Sequence, residues 1–311
     1  MTDTQMSRRR FVAGASAAVG VGTLPSLAHG KCLPKEKPYE YCAFIKFIQQ
    51  LSYEELAESL KSIGLDGAEV TVRKGGYIRP ESVADELPKL TEVFAKHDLK
   101  ISVLTTDIVE VGSPNAEAVL KTAASVGVQR YRMGFCRYDL NAPIQSQLEL
   151  LKPKFKDLAS LNREVGISGV YQNHAGGQYL GASFWDLLQV LGDIPVEEIG
   201  SIFDIRHAVA EGDGVWQVYY DIIKPHIAAL SSKDFRWGLR KAKDKRLSPV
   251  NCPLGEGQVD YRKFLKQFQN DFETALVTLH VEYLPDADAK TNLAAIEKDL
   301  AFLKKTMGVE S

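Results

Sequence analysis

Cysteine is scarce in this 311-residue chain, with four in all, too few to staple a protein of this size as a disulfide scaffold. None of the four stands in a CxxC or Cys/His metal spacing. No uncharged run is both long and apolar enough for a transmembrane helix, so stable membrane insertion is not expected. Charge has no preferred sign: 38 Lys+Arg stand against 40 Asp+Glu, for a net charge of −2. A dedicated nucleic-acid binder carries a basic excess, so no nucleic-acid partner is expected. What is present is ordinary for a globular protein: 45% hydrophobic and 25% charged residues. That apolar content is enough to bury a core, which excludes general disorder.

The first residues read as an address. Ser7-Arg8-Arg9-Arg10-Phe11-Val12 opens an uncharged, Ala/Gly/Val-rich stretch that runs to Ala28. Small-residue cleavage patterns close it at Ser26-Leu27-Ala28 or Ala28-His29-Gly30. Adjacent arginines before Phe resemble a twin-arginine export signal, which implies the twin-arginine machinery as a partner and a periplasmic or secreted destination. The expected division is therefore a signal peptide over 1–28 and a mature domain over 29–311. Removal of three arginines and Asp3 would leave 35 basic and 39 acidic residues, net −4. An oxidising destination permits a disulfide among Cys32, Cys42, Cys136 and Cys252, and spacing does not choose the pairing.

From Tyr41 the pattern alternates short apolar strands with amphipathic helices. The expected strands are Tyr41–Phe47, Gly67–Val72, Lys100–Thr105, Val128–Met133, Ile167–Gln172, Ile199–Asp204, Ile227–Ser232 and Ala275–Glu282. The helices between and after them are expected from Ser52, at Glu81–His97, Asn115–Ser125, Ile144–Val165 and Ser183–Leu191, around Val215–Ile223, and at Tyr261–Phe268 and Lys290–Lys305. Ser52-Tyr53-Glu54-Glu55 is a capping box, and Gly64 stops the helix it opens. Strands such as Ile199-Gly200-Ser201-Ile202-Phe203 are apolar on both faces, as a covered parallel sheet requires. Eight strand–helix units predict a single α/β domain, a (β/α)8 TIM barrel. A doubly wound open sheet is the alternative, but Ile45–Leu51 lacks the Gly-rich phosphate turn that usually follows its first strand.

In such a barrel the chemistry sits where strands end. Those ends carry Glu69, Thr71 and Arg73; Thr105-Thr106-Asp107; Arg130 and Arg132; Gln172-Asn173-His174; Asp204 with His207; Lys233-Asp234; and His280 with Glu282. Each alone has a plain structural role open to it, and Asp204 could simply cap a helix. Their convergence is what predicts a polar site. Carboxylates and imidazoles from several strands suit a divalent cation such as Mn, Mg, Co or Zn.

These residues carry a resemblance. Gln172-Asn173-His174-Ala175-Gly176-Gly177, Phe203-Asp204-Ile205-Arg206-His207-Ala208, Ser232-Lys233-Asp234, Pro253-Leu254-Gly255-Glu256-Gly257-Gln258-Val259-Asp260 and Val281-Glu282-Tyr283 are similar to the xylose isomerase-like barrel superfamily. Gly64-Leu65-Asp66-Gly67-Ala68-Glu69 fits as well. The resemblance implies metal ligands at the ends of strands five to eight: Glu, Asp, His and Glu. Asp204 and Glu282 match. Gln172 stands where the first Glu would be and Ser231 where the His would be. The expected metal set is Gln172, Asp204, His207 and Glu282, with His174 or His280 as substitutes. The alternative is a site in which Lys233, His280 and Arg132 supply the metal's charge.

The resemblance also implies an exported carbohydrate-active enzyme, an isomerase, epimerase or related lyase that works through an enediolate on a small-molecule carbohydrate. Glu282 is the expected base, with Lys233 and His280 as proton donors or oxyanion stabilisers. Glu69, Arg73, Arg132, His174, Asp234 and Trp237 are expected to bind substrate; Trp237 and Trp216 can stack on a sugar ring, with a core role as the alternative for each. Phe235–Pro253 is expected to be a long charged loop, either solvated or serving as a lid or a partner surface. A sugar-binding barrel with a decayed metal site and no catalysis is the other functional reading.

Overall fold

The computed structural model describes residues 38–239 and 245–309. The expected signal segment, Cys32 and residues 240–244, which include Arg240, Lys241 and Lys243, lie outside them. Eight parallel strands close into a barrel. They are β1 (Tyr39–Phe44), β2 (Gly67–Thr71), β3 (Lys100–Thr105), β4 (Arg130–Arg132), β5 (Ser168–Gln172), β6 (Ile199–Asp204), β7 (Ile227–Ser232) and β10 (Ala275–Leu279). Closure comes from β1, which pairs with β2 on one side and β10 on the other. Outside the barrel, β8 (Asp234–Gly238) and β9 (Ser248–Cys252) form an antiparallel hairpin.

Helices cover the barrel: α1 (Tyr53–Ile63), α2 (Val83–Lys96), α3 (Ala116–Ser125), α4 (Ile144–Val165), α5 (Trp185–Leu191), α6 (Ile205–Gly212), α7 (Trp216–Ile223), α8 (Tyr261–Asp271) and α9 (Ala289–Thr306). Local signals set their ends. Ser52 and Glu55 close the capping box of α1, and Gly64 ends that helix in the left-handed region at φ 84°, where glycine carries no Cβ penalty. No described helix is long and apolar enough to cross a membrane.

The core has two compartments. The larger lies between strands and helices and includes Phe94, Phe155, Tyr171, Phe203 and Phe264. The smaller plugs the barrel interior with Cys42, Val103, Val170, Ile202, Ala229 and Leu276. Cys42, Cys136 and Cys252 are buried free thiols, so none of these three pairs with another described cysteine.

Four expectations shift. The first strand ends at Phe44, and Ile45–Phe47 is a 3-10 turn. A helix, α6, starts directly after β6, because Asp204 caps it with no intervening loop. The expected loop Phe235–Pro253 contains the β8–β9 hairpin, which its many charges concealed. The last barrel strand stops at Leu279, so His280 and Glu282 lie on the chain leaving it.

Candidate active site

Strand periodicity lifts the site directly off the apolar plug. Side chains two residues apart share a face. Each plug residue is therefore followed two positions later by a residue of the layer above: Val103 by Thr105, Val170 by Gln172, Ile202 by Asp204, Ala229 by Ser231 and Leu276 by Thr278. A further two residues give His174, Lys233 and His280, and Glu282 follows His280. All these strands run the same way, so their polar ends gather at one mouth.

The lower layer is closed and saturated. Glu69 has no solvent exposure. Its carboxylate accepts from Thr105 Oγ1 at 2.6 Å, Thr278 Oγ1 at 2.7 Å and His280 Nε2 at 2.8 Å, and it pairs with Arg132 Nε at 2.8 Å. Burial acts to raise this carboxyl, but His280 and Arg132 outweigh it and hold it far below the usual carboxylate range. Arg132 also donates to the Gln172 amide oxygen and to Thr105 Oγ1, and its guanidinium lies 5.0 Å from the Phe44 ring centre. The Gln172 amide nitrogen donates to Asp204 Oδ2 at 2.7 Å. Arg132 can only donate and the Asp204 carboxylate only accepts, so the orientation of this amide is fixed.

The upper layer is looser. Lys233 Nζ stands 3.2 Å from Asp204 Oδ2 and 3.4 Å from Glu282 Oε1. Both carboxylates therefore gather on one nitrogen. Asp204 also caps α6, accepting from the His207 backbone at 3.1 Å. Glu282 is the carboxylate that meets solvent, its side chain 24% exposed. Burial acts to raise its carboxyl, but Lys233 and His280 hold it well below the usual range, so it is ionised at neutral pH. His280 Nδ1 lies 3.4 Å from Glu282 Oε1, and the ring stacks on Phe44. With Nε2 held by Glu69, Nδ1 is the ring atom that faces Glu282.

His174 and His207 form a wall of the mouth, their ring centres 4.1 Å apart, with Tyr179 4.4 Å and Phe135 4.9 Å from His174. Burial, then Lys233, depresses both rings, His174 to about 4, so both are neutral near pH 7. His207 Nδ1 takes the Ala175 backbone N–H at 3.1 Å and an Arg206 N–H at 3.0 Å. Its Nε2 stands 3.2 Å from Lys233 Nζ and 3.7 Å from Asp204 Oδ2. Arg73 is half-buried beside the mouth, 5.9 Å from the Phe44 ring. Burial and the nearby Arg132 push its guanidinium down from its ordinary value.

A family model described as the xylose isomerase-like TIM barrel matches residues 57–306. The chain belongs to the xylose isomerase-like TIM barrel family. No curated protein matches it in sequence. Solved structures share its fold at low identity. D-psicose 3-epimerase with D-tagatose from Clostridium cellulolyticum H10 superposes with a TM-score of 0.64 at 11% identity, over 86% of this chain and 99% of that one. The probable 3-DHS dehydratase AsbF from Bacillus anthracis, involved in petrobactin synthesis, gives 0.64 at 14%, over 84% and 98%. The IolI protein with a binding zinc atom gives 0.64 at 16%, over 86% and 99%.

As a member of this barrel family the chain would be expected to hold a divalent metal, and its donor set does not fit one. The Gln172 oxygen, the only metal-binding atom of that side chain, is committed to Arg132. Both ring nitrogens of His207 already have partners, Nδ1 with Ala175 and Arg206 and Nε2 with Lys233. Ser231 Oγ donates to Asp204 Oδ2 at 3.1 Å. The remaining two ligands, Asp204 and Glu282, converge on an ammonium. Among the described residues no group of three or more His, Cys, Asp or Glu side chains is arranged to hold a metal ion. The expected set Gln172, Asp204, His207 and Glu282 does come together, but Gln172 and the His207 backbone hydrogen-bond to Asp204, and Glu282 ion-pairs with Lys233.

Other expected residues fall outside the mouth. Glu69 and Arg132 lie beneath it with their polar atoms taken. Asp234 latches the loop after β9: Oδ1 accepts from Phe235 and Val259, and Oδ2 from Gly255 and Gly257. This explains the Gly-Glu-Gly segment, since a Cβ on Gly257 would stand 2.1 Å from Asp234 Oδ1. Trp237 sits on the hairpin, 48% exposed, with its edge to Phe235. Trp216 is core, edge-on to Phe264. Sequence reasoning missed Thr105 and Thr278 as anchors of Glu69, and Phe44 and Phe135 as walls. The first pair carried a signal, a polar residue two places after every plug residue except Cys42. The aromatics carried none distinct from core.

Proposed function

We propose that the chain is an enzyme that moves a proton at the carbon beside a carbonyl of a small sugar or oxidised sugar, as an isomerase, epimerase or related lyase. The observation that carries this reading is Glu282: an ionised, partly exposed carboxylate within 3.4 Å of both a fixed ammonium and an anchored imidazole. Glu282 takes the proton from carbon. Lys233 stabilises the negative charge that develops on the carbonyl oxygen. His280 Nδ1 can hold the proton that Glu282 has collected, while Glu69 fixes the ring from its other side. Return of the proton to a different atom or face gives an isomer or epimer, and loss of a neighbouring oxygen gives an elimination product. The solved structures of an epimerase and a dehydratase on the same fold support this reaction class.

The test is solvent exchange. Incubation with a panel of ketoses, keto-glycosides and keto-acids of sugars in D2O should place deuterium beside the carbonyl of the true substrate, seen by NMR. Glu282→Gln should abolish that exchange. Tight binding of a panel member without exchange or turnover would instead establish the non-catalytic sugar-binding reading.

Export belongs to the same proposal and rests on Arg8-Arg9 ahead of the uncharged stretch. With both replaced by Lys, precursor should accumulate in the cytoplasm. An unchanged periplasmic yield would overturn the export reading.

A further inference from the structure

We propose that the Lys233 ammonium is the resident cation of this mouth and that it excludes a divalent metal from the site, so the chemistry is metal-independent. The inference stands on geometry and charge and does not depend on which sugar is turned over.

Three observations point the same way. First, Lys233 Nζ lies where the two strand-end carboxylates converge, 3.2 Å from Asp204 and 3.4 Å from Glu282. A metal bound to both would need oxygens at about 2 Å from that same point, and the ammonium fills it. Second, the other would-be ligands are turned to hydrogen bonding. The Gln172 oxygen is held by Arg132, and its amide nitrogen, a donor, faces Asp204. His207 Nδ1 faces the Ala175 and Arg206 N–H groups, and its Nε2 faces the Lys233 ammonium at 3.2 Å. Third, the buried carboxylates already have cations. Against Glu69, Asp204 and Glu282 stand Arg132, Lys233 and Arg206, all 6% exposed or less except Glu282, with the His280 imidazole between Glu69 and Glu282. Adding a divalent ion would put two more positive charges into a poorly solvated cluster, which is costly.

The substitutions are mutually consistent. Glu at position 172 would add a charge that Lys233 alone could not balance, and His at position 231 would crowd the ammonium. Gln and Ser instead donate hydrogen bonds to Asp204 and keep it oriented toward Lys233. An ammonium can still do one thing a metal does here, which is to stabilise an oxyanion as a point charge with N–H donors.

The experiment measures metal binding directly, on the tag-free full chain, by Mn2+ EPR and calorimetric titration. Mn2+ prefers oxygen donors, so the buried thiols do not interfere. The wild type should bind no stoichiometric Mn2+ at millimolar concentration, and its deuterium exchange should survive exhaustive chelation. Lys233→Ala combined with Gln172→Glu should bind one Mn2+ per chain at least 100-fold more tightly than wild type, with circular dichroism confirming the fold. Lys233→Ala alone should show a smaller gain and serves if the double variant does not fold. One tightly bound Mn2+ in the wild type, lost in Asp204→Asn, would overturn the proposal. So would no gain in a folded variant, because Lys233 would then not be what keeps the ion out. The Mn2+ titrations need no substrate, so they separate failure of this inference from failure of the proposed reaction.

Discussion

The two layers of the barrel mouth use the same kinds of side chain to opposite effect. In the lower layer Glu69 is gripped by Thr105, Thr278, His280 and Arg132 at 2.6–2.8 Å and has no exposure. In the upper layer Glu282 meets Lys233 and His280 only at 3.4 Å and keeps part of its surface open. A buried carboxylate with every lone pair used cannot take a proton from a substrate without dismantling its surroundings. One held at longer range can exchange partners cheaply. The lower layer is therefore scaffold and the upper layer the working surface, and His280 joins them, bonded to Glu69 through one nitrogen and facing Glu282 with the other.

The largest expected effect comes from breaking the lower layer. Glu69→Ala leaves Arg132 buried without its carboxylate, and loss of one partner of a buried pair costs about 3–5 kcal/mol. Urea denaturation at pH 7 should show that loss. Its pH dependence follows from the depressed Glu69 carboxyl. As pH falls below about 4.3 the unfolded chain binds this proton before the folded one does. The stabilisation is thus complete above that pH and is lost progressively below it, so the gap between wild type and variant should narrow in acid. A variant as stable as wild type at pH 7 would show that the layer is not the scaffold.

Removing the upper carboxylate should invert the pattern. Glu282→Gln is expected to cost about 100-fold or more in turnover, roughly 2.7 kcal/mol. Stability should change by less than about 1 kcal/mol, because the Glu282 pairings with Lys233 and His280 are long and partly solvated. A variant that unfolds, or one that keeps full turnover, would erase the distinction between the layers.

How far the sequence revealed this follows the same division. The barrel was legible because eight apolar strands alternate with helices, and β3, α4, β6 and β7 have the bounds their patterns predict. The upper residues were legible as well: Lys233, His280, Glu282, Asp204 and His207 do converge. Depth was not. Glu69 and Arg132 looked like substrate contacts because a strand end says which face a side chain takes, not which layer it occupies. The β2–β3 register shift at Ala68/Glu69 helps set that depth and leaves no mark in composition. Asp234 adjoins Lys233, yet it points away, and three of the four backbone N–H groups it holds lie twenty-odd residues on. Only a folded loop discloses such partners.

The smallest expected effect tests what the upper layer recognises. Arg73 makes no hydrogen bond or ion pair to another described side chain; its one ring contact is with Phe44 at 5.9 Å. A half-buried guanidinium is desolvated, and burial together with Arg132 disfavours its charge. An anionic substrate group would relieve both penalties, and the planar fork suits a carboxylate bidentately. Arg73→Gln should therefore raise KM for an acidic sugar about 10-fold, roughly 1.4 kcal/mol, with kcat nearly unchanged, since the contact is the same in ground and transition states. A neutral keto-sugar should show no such change. Arg73→Lys should recover part of the affinity by keeping the charge without the fork. An equal KM rise on neutral and acidic substrates would mean that Arg73 shapes the mouth and does not read a carboxylate. A fall in kcat with KM unchanged would place it with Lys233 in stabilising the reacting oxygen.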